Sequence, residues 1–128
     1  MKYLFVYGSL RGLRLANASL ENYQLVLVKS NKINDVVTIV PKENCIVYGN
    51  IDRINKSFEN AIDRYERVSE NFYKKHYLEV LDWKHNVKRK CLVYILNFDY
   101  YKQINAKYRI VPIEHGDYVR YLKEIYGE

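Results

Sequence analysis

Apolar residues in this chain fall mostly in short runs bounded by polar residues. Tyr3-Leu4-Phe5-Val6 leads straight into Tyr7-Gly8-Ser9-Leu10, and later runs share the same β-branched and aromatic enrichment. This pattern predicts strands at about 2–7, 23–29, 36–40, 45–52, 72–83 and 87–98. Lys84-His85-Asn86 then forms the turn of a hairpin between the last two. Residues 99–113 read as mostly irregular, and 115–126 as a closing helix. A second period appears once before that: Phe58, Ala61, Ile62 and Tyr65 recur at i, i+3, i+4 and i+7, with Ser57 placed as an N-cap. A helix is therefore expected at about 56–67. At about 100° per residue its apolar side chains span about −60° to +40°, with Glu66 near 80° and Asp63 and Arg67 near 140° and 180°. Glu66 is thus expected at the edge of the buried stripe, facing a cavity beside the core, with Arg67 turned away.

At 128 residues and 15.4 kDa the chain has the length of one domain with its own core. Fourteen tyrosines are unusual, and an apolar ring carrying a hydroxyl suits the wall of a polar cavity. The charge of +6 permits acidic partners without requiring them. Cys45 and Cys91 lie far apart in strand-like runs with no C-x-x-C, which suits a reduced, buried pair in a cytoplasmic protein. No apolar stretch is long enough to span a membrane.

Four chemistries compete for these residues. A strand that stops on Gly8-Ser9 turns backbone N–H groups outward, and such concavities hold carboxylates and developing oxyanions. Ser9 as a nucleophile fits poorly, because it follows its glycine directly, unlike the serine of an esterase elbow. His76, His85 and His115 show no metal-ligand spacing. Lys84, Lys88, Arg89 and Lys90 form a basic hairpin tip, with Lys74 and Lys75 near its base. Basic residues among aromatics can bind single-stranded nucleic acid, but no recognised nucleic-acid motif accompanies them.

The order of three motifs is more specific. Phe5-Val6-Tyr7-Gly8-Ser9-Leu10-Arg11, then Ile62-Asp63-Arg64-Tyr65-Glu66 with Tyr73 seven residues on, then Gly116-Asp117-Tyr118, together resemble the γ-glutamylcyclotransferase-like family. Its pattern is F-V-Y-G-[ST]-L-R, L-D-x-x-E-G, a later Tyr and a Gly-Asp-aromatic. Ile62 stands here for the leucine and Arg67 for the glycine. The resemblance implies one α+β domain over 1–128, a curved mixed sheet closing toward a barrel with helices around one pocket. It implies cleavage of a γ-glutamyl amide by internal cyclisation to 5-oxoproline and an amine or amino acid, with no cofactor. The partner is then a small molecule bearing a γ-glutamyl group, not nucleic acid or membrane. Tyr7, Gly8, Ser9 and Leu10 would hold that group, Glu66 would act as acid and base, and Tyr73 and Tyr108 would line the pocket. A domain of the same fold that binds a small molecule or single-stranded nucleic acid without catalysis is the alternative.

Overall fold

A computed structural model describes residues 1–31, 34–104 and 107–127. Six strands run in chain order: β1 (Lys2–Val6), β2 (Ala18–Ser30), β3 (Val36–Ile54), β4 (Tyr73–Asp82), β5 (Val87–Leu96) and β6 (Tyr108–Ile113). Helix α1 (Lys56–Tyr65) follows β3, α2 (Phe98–Ile104) follows β5, and α3 (Tyr118–Tyr126) follows β6. The strand order β3-β1-β5-β4-β2 closes on itself through a β2–β3 ladder, giving a five-strand barrel, and β6 adds to the far half of β2. The β1–β5 pair is parallel and the other ladders are antiparallel.

The continuous apolar runs are explained by burial on both faces of the sheet. In β1, Phe5 joins the main core while Leu4 and Val6 pack outside it with Ile54, Ile62, Leu92 and Tyr94. In β2, Leu25 and Leu27 face that same main core, whereas Val26 and Val28 meet Phe72, Leu96 and Tyr101.

Several expectations are corrected. The predicted 36–40 and 45–52 strands are one strand, β3, which pairs with β2 across a register shift flanked by Asn22 and Asn44 at positive φ. Asparagine adopts this conformation with little strain, so the ladder bends without breaking. β2 begins at Ala18, five residues before the predicted start at 23. The segment read as irregular holds α2 and β6, with residues 105 and 106 outside the described residues. Asn55, not Ser57, caps α1 by accepting a hydrogen bond from the Phe58 N–H at 2.8 Å.

The face that α1 buries also differs. Phe58 and Tyr65 are exposed, at 56% and 62%, while Glu59 is buried to 1% beside Ile62. The reason is a polar wall beneath the helix. Lys75 donates to Glu59 and, at 3.0 Å, to Asp63, and Lys2 reaches Glu59 at 3.1 Å. The hydrogen bond from Lys75 holds the Glu59 carboxyl below its ordinary value against the opposing effect of burial.

Gly116 sits at φ +78°, where a Cβ would lie 2.0 Å from the Ile46 carbonyl oxygen, and its own carbonyl accepts the Tyr48 N–H at 2.8 Å. Gly127 also has positive φ but open space around it. Gly127→Ala should therefore cost about 1 kcal/mol, the left-handed penalty alone. Gly116→Ala should cost more than about 2 kcal/mol, because backbone must also move. Denaturant midpoints of the two variants check the contrast.

Candidate functional site

Beyond β1 the chain leaves the sheet at Tyr7-Gly8 and tightens into a 3₁₀ turn, Ser9–Arg11. The Arg11 N–H closes onto the Gly8 carbonyl at 3.0 Å. The first N–H groups of such a turn have no acceptor within it. Arg11 anchors this loop from below. Its guanidinium is fully buried and donates to Asn50 Oδ1 (2.9 Å), the Arg14 carbonyl (3.1 Å) and Asp117 Oδ1 (2.7 Å). Asp117 also caps α3, accepting the Val119 and Arg120 N–H groups. Burial pushes its carboxyl up, but the hydrogen bonds from Arg11 and those backbone groups outweigh this and leave it below the ordinary value. The first and last sequence motifs are thus one structural unit, which also brings Tyr118 to the site.

Glu66 follows α1 as its C-cap, its N–H bonded to the Ile62 carbonyl at 2.8 Å. Arg67, at the family's glycine position, is left-handed at φ 55°. That conformation is the physical reason for a glycine there, and a side chain accepts it at about 1–2 kcal/mol. Asn71 is left-handed as well. Arg67 does not turn away as expected. It lines the cavity, with its guanidinium 4.9 Å from the Phe72 ring centre and bonded to Glu70 at 2.9 Å.

A cavity of about 290 Å³ opens between the loop and the end of α1. Tyr7, Gly8, Ser9, Leu10, Glu66 and Tyr73 all line it. Tyr108 does not. It lies on β6, with its ring edge-on to Tyr101 at 5.2 Å, part of the packing around α2. Sequence reasoning missed Asp35, Tyr65, Tyr94 and Tyr118. Tyr118 carried a signal, as the aromatic of the Gly-Asp-aromatic motif. Tyr94 carried none, being one alternate residue of a strand.

Burial raises the Glu66 carboxyl to about 7. Around it the tyrosines are tied in place. Tyr7 donates to the Tyr94 carbonyl (2.5 Å), Tyr73 to the Val37 carbonyl (2.8 Å) and Tyr94 to Asp63 Oδ1 (2.5 Å). Burial raises all three phenols, so they stay protonated.

The remaining candidates lie elsewhere. Lys84, Lys88, Arg89 and Lys90 do not line the cavity. Arg89 is bonded to Asp82 at 2.8 Å and stacked on Tyr3, and Lys75 is committed to α1. His76 is exposed on β4, His85 bonds Asp82 at 2.9 Å, and His115 bonds Glu124 at 3.0 Å. Among the described residues, no three His, Cys, Asp or Glu side chains gather as a metal site. Both cysteines are free, and only Cys91 is buried, with Cys45 half-exposed at the β3 bend. Among the described residues no helix is long and apolar enough to cross a membrane.

These features define a small mixed five-strand barrel with a cavity lined by both a half-buried carboxyl and a backbone loop. The gamma-glutamyl cyclotransferase, AIG2-like family model matches residues 4–120, and the chain belongs to that family. A solved gamma-glutamyl cyclotransferase shares the fold with a TM-score of 0.66 at 19% identity, over 98% of this chain and 80% of that one. An uncharacterized protein from Homo sapiens aligns with a TM-score of 0.64 at 21% identity, over 87% of this chain and 70% of its own. A solution structure from Arabidopsis thaliana gives 0.52 at 19% identity, over 80% and 81%. No curated protein matches the sequence significantly.

Proposed function

We propose that this chain cleaves a γ-glutamyl amide by intramolecular cyclisation, releasing 5-oxoproline and a free amine or amino acid. The observation that carries the reading is the Glu66 carboxyl, raised by burial to about 7 and lining the same cavity as the Tyr7–Leu10 loop. A carboxyl of that acidity is half ionised near neutral pH, where a group serving first as base and then as acid works best.

The reaction needs few groups. Ionised Glu66 takes a proton from the substrate's α-ammonium. The freed amine attacks the γ-carbonyl carbon, the new C–N bond closes a five-membered ring, and negative charge develops on the carbonyl oxygen. Loop N–H groups stabilise that oxyanion. As the γ-amide C–N bond breaks, Glu66 passes its proton to the departing nitrogen, and the ring nitrogen gives up its second proton, which the released amine carries away as an ammonium. Because nucleophile and carbonyl belong to one molecule, orientation alone can supply roughly 7–11 kcal/mol.

The test is a panel of γ-glutamyl amino acids, γ-glutamylamines and γ-glutamyl-lysine assayed for 5-oxoproline. With a suitable member, kcat/KM should rise about tenfold per pH unit on the acid side and level off above a midpoint near 7. Silence across the panel would overturn the catalytic reading. Arg67 at the glycine position is the feature that favours the competing one, a domain that binds without turnover. Binding of γ-glutamyl-alanine without product would select it.

A further inference from the structure

A tyrosine hydroxyl has one proton to donate and two lone pairs to accept with. The three tyrosine protons around Glu66 are already spent on fixed acceptors, namely two backbone carbonyls and Asp63. None of these hydroxyls is free to donate to a substrate oxyanion. What they offer is oxygen lone pairs, beside a carboxyl that is itself an acceptor. Apart from Arg67, bonded to Glu70, and Tyr65, beside Ser9, the α1 side of the cavity therefore offers acceptors, Glu66 with the Tyr73 and Tyr94 oxygens, while the loop backbone offers donors.

Tyr94 is the one of the three that donates to a side chain. Its hydroxyl bonds Asp63, one turn before Glu66 on the same helix, and Asp63 is held by Lys75 at 3.0 Å. Lys75 in turn grips the buried Glu59, which Lys2 also reaches. This chain of charges fixes the direction of one phenol proton. Tyr94 and Glu66 line the same cavity.

We propose that Tyr94 binds substrate through its hydroxyl oxygen, which accepts a hydrogen bond from the α-ammonium of the γ-glutamyl group, and that Asp63 is the positioning residue that turns its proton away. This assignment rests on the cavity being the γ-glutamyl site. It makes a free α-ammonium the feature read by the α1 side of the cavity, and it gives the aspartate of the L-D-x-x-E motif a task separate from that of the glutamate. The loop side, which supplies donors, reads the carbonyl and carboxylate.

The experiment compares two ligands that differ only at that nitrogen, γ-glutamyl-alanine and its desamino counterpart glutaryl-alanine. Both are titrated calorimetrically into Glu66→Gln protein, where neither is consumed. Tyr94→Phe in that background should weaken γ-glutamyl-alanine roughly 10–100-fold, the range for a hydrogen bond to a charged group, and leave glutaryl-alanine within about twofold. Asp63→Ala keeps the phenol but frees its proton, so it should lower the preference for the ammonium ligand in the same direction. Equal weakening of both ligands would mark Tyr94 as merely structural and overturn the proposal, as would no change in either. Failure of γ-glutamyl-alanine to bind at all would overturn it together with the assignment of the cavity. The ligand contrast stands whether or not the wild type releases 5-oxoproline, so the fate of the catalytic reading is decided separately.

Discussion

Glu66→Gln should lower 5-oxoproline release by at least 10²–10⁴-fold, the usual contribution of a general acid–base group, and yet yield a more stable protein above neutral pH. Glutamine keeps the shape and an accepting oxygen but cannot take the ammonium proton, so the amine stays protonated and inert. Affinity for the γ-glutamyl group should change little, placing the loss in kcat. The stability gain follows from the direction of the shift. Folding raises the Glu66 carboxyl from 4.5 to about 7, so the folded state holds this proton more tightly than the unfolded one. The resulting stabilisation is complete below about pH 4.5 and is lost as pH rises through about 7. At pH 8 the wild type carries a half-buried carboxylate, at a cost of up to about 3 kcal/mol. Gln carries no such cost. Denaturant midpoints should therefore separate the two proteins at pH 8 and nearly coincide at pH 4.5. Equal midpoints at pH 8 would mean that water reaches the carboxylate freely, and equal turnover would remove Glu66 from the chemistry.

The second large effect is structural. Arg11→Met should destabilise the protein by about 3–5 kcal/mol, the range for removing one partner of a buried ion pair, out of a total of about 5–15 kcal/mol. It strands Asn50 and Asp117 and unties the loop that carries Gly8, Ser9 and Leu10. Asp117→Ala should be at least as harmful, since it leaves the fully buried guanidinium without its counter-charge and also removes the α3 cap, worth about 0.5–2 kcal/mol. Because both changes break one unit, the double variant should cost less than the two singles added together. A thermodynamic cycle from urea unfolding measures this. Strict additivity would show that the pair does not couple loop to helix.

The motifs were legible because each is a backbone necessity. Gly8-Ser9 ends a strand, Asp117 starts a helix, and Glu66 closes one. Their joining through Arg11 was not legible, because it depends on two positions 106 residues apart. Helix α1 shows where pattern reading fails. The i, i+3, i+4 template presumes an apolar surface beneath the helix, but here that surface carries Lys2, Lys75 and the Tyr94 hydroxyl, so Glu59 and Asp63 turn inward and Phe58 and Tyr65 outward. Tyr108 was placed at the pocket by the family resemblance alone, whereas β6 pairs with the end of β2 and turns its ring to the α2 side. Barrel closure was anticipated through the family resemblance. Strand patterns alone carry no record of which strands meet.

Ring closure has a consequence for the order of events during synthesis. β1, made before the other five strands, is flanked in the barrel by β3 and β5, and Leu4 finds its parallel partner only at Leu92. The loop bearing Gly8 and Ser9 is then pinned by Asp117, almost at the end of the chain. Contacts of such long sequence separation form slowly, since loop-closure entropy opposes each until its partners exist. β1 and its loop are thus made before the elements that hold them in place, and a nascent chain halted before β5 has the loop's sequence but no pocket for it to line.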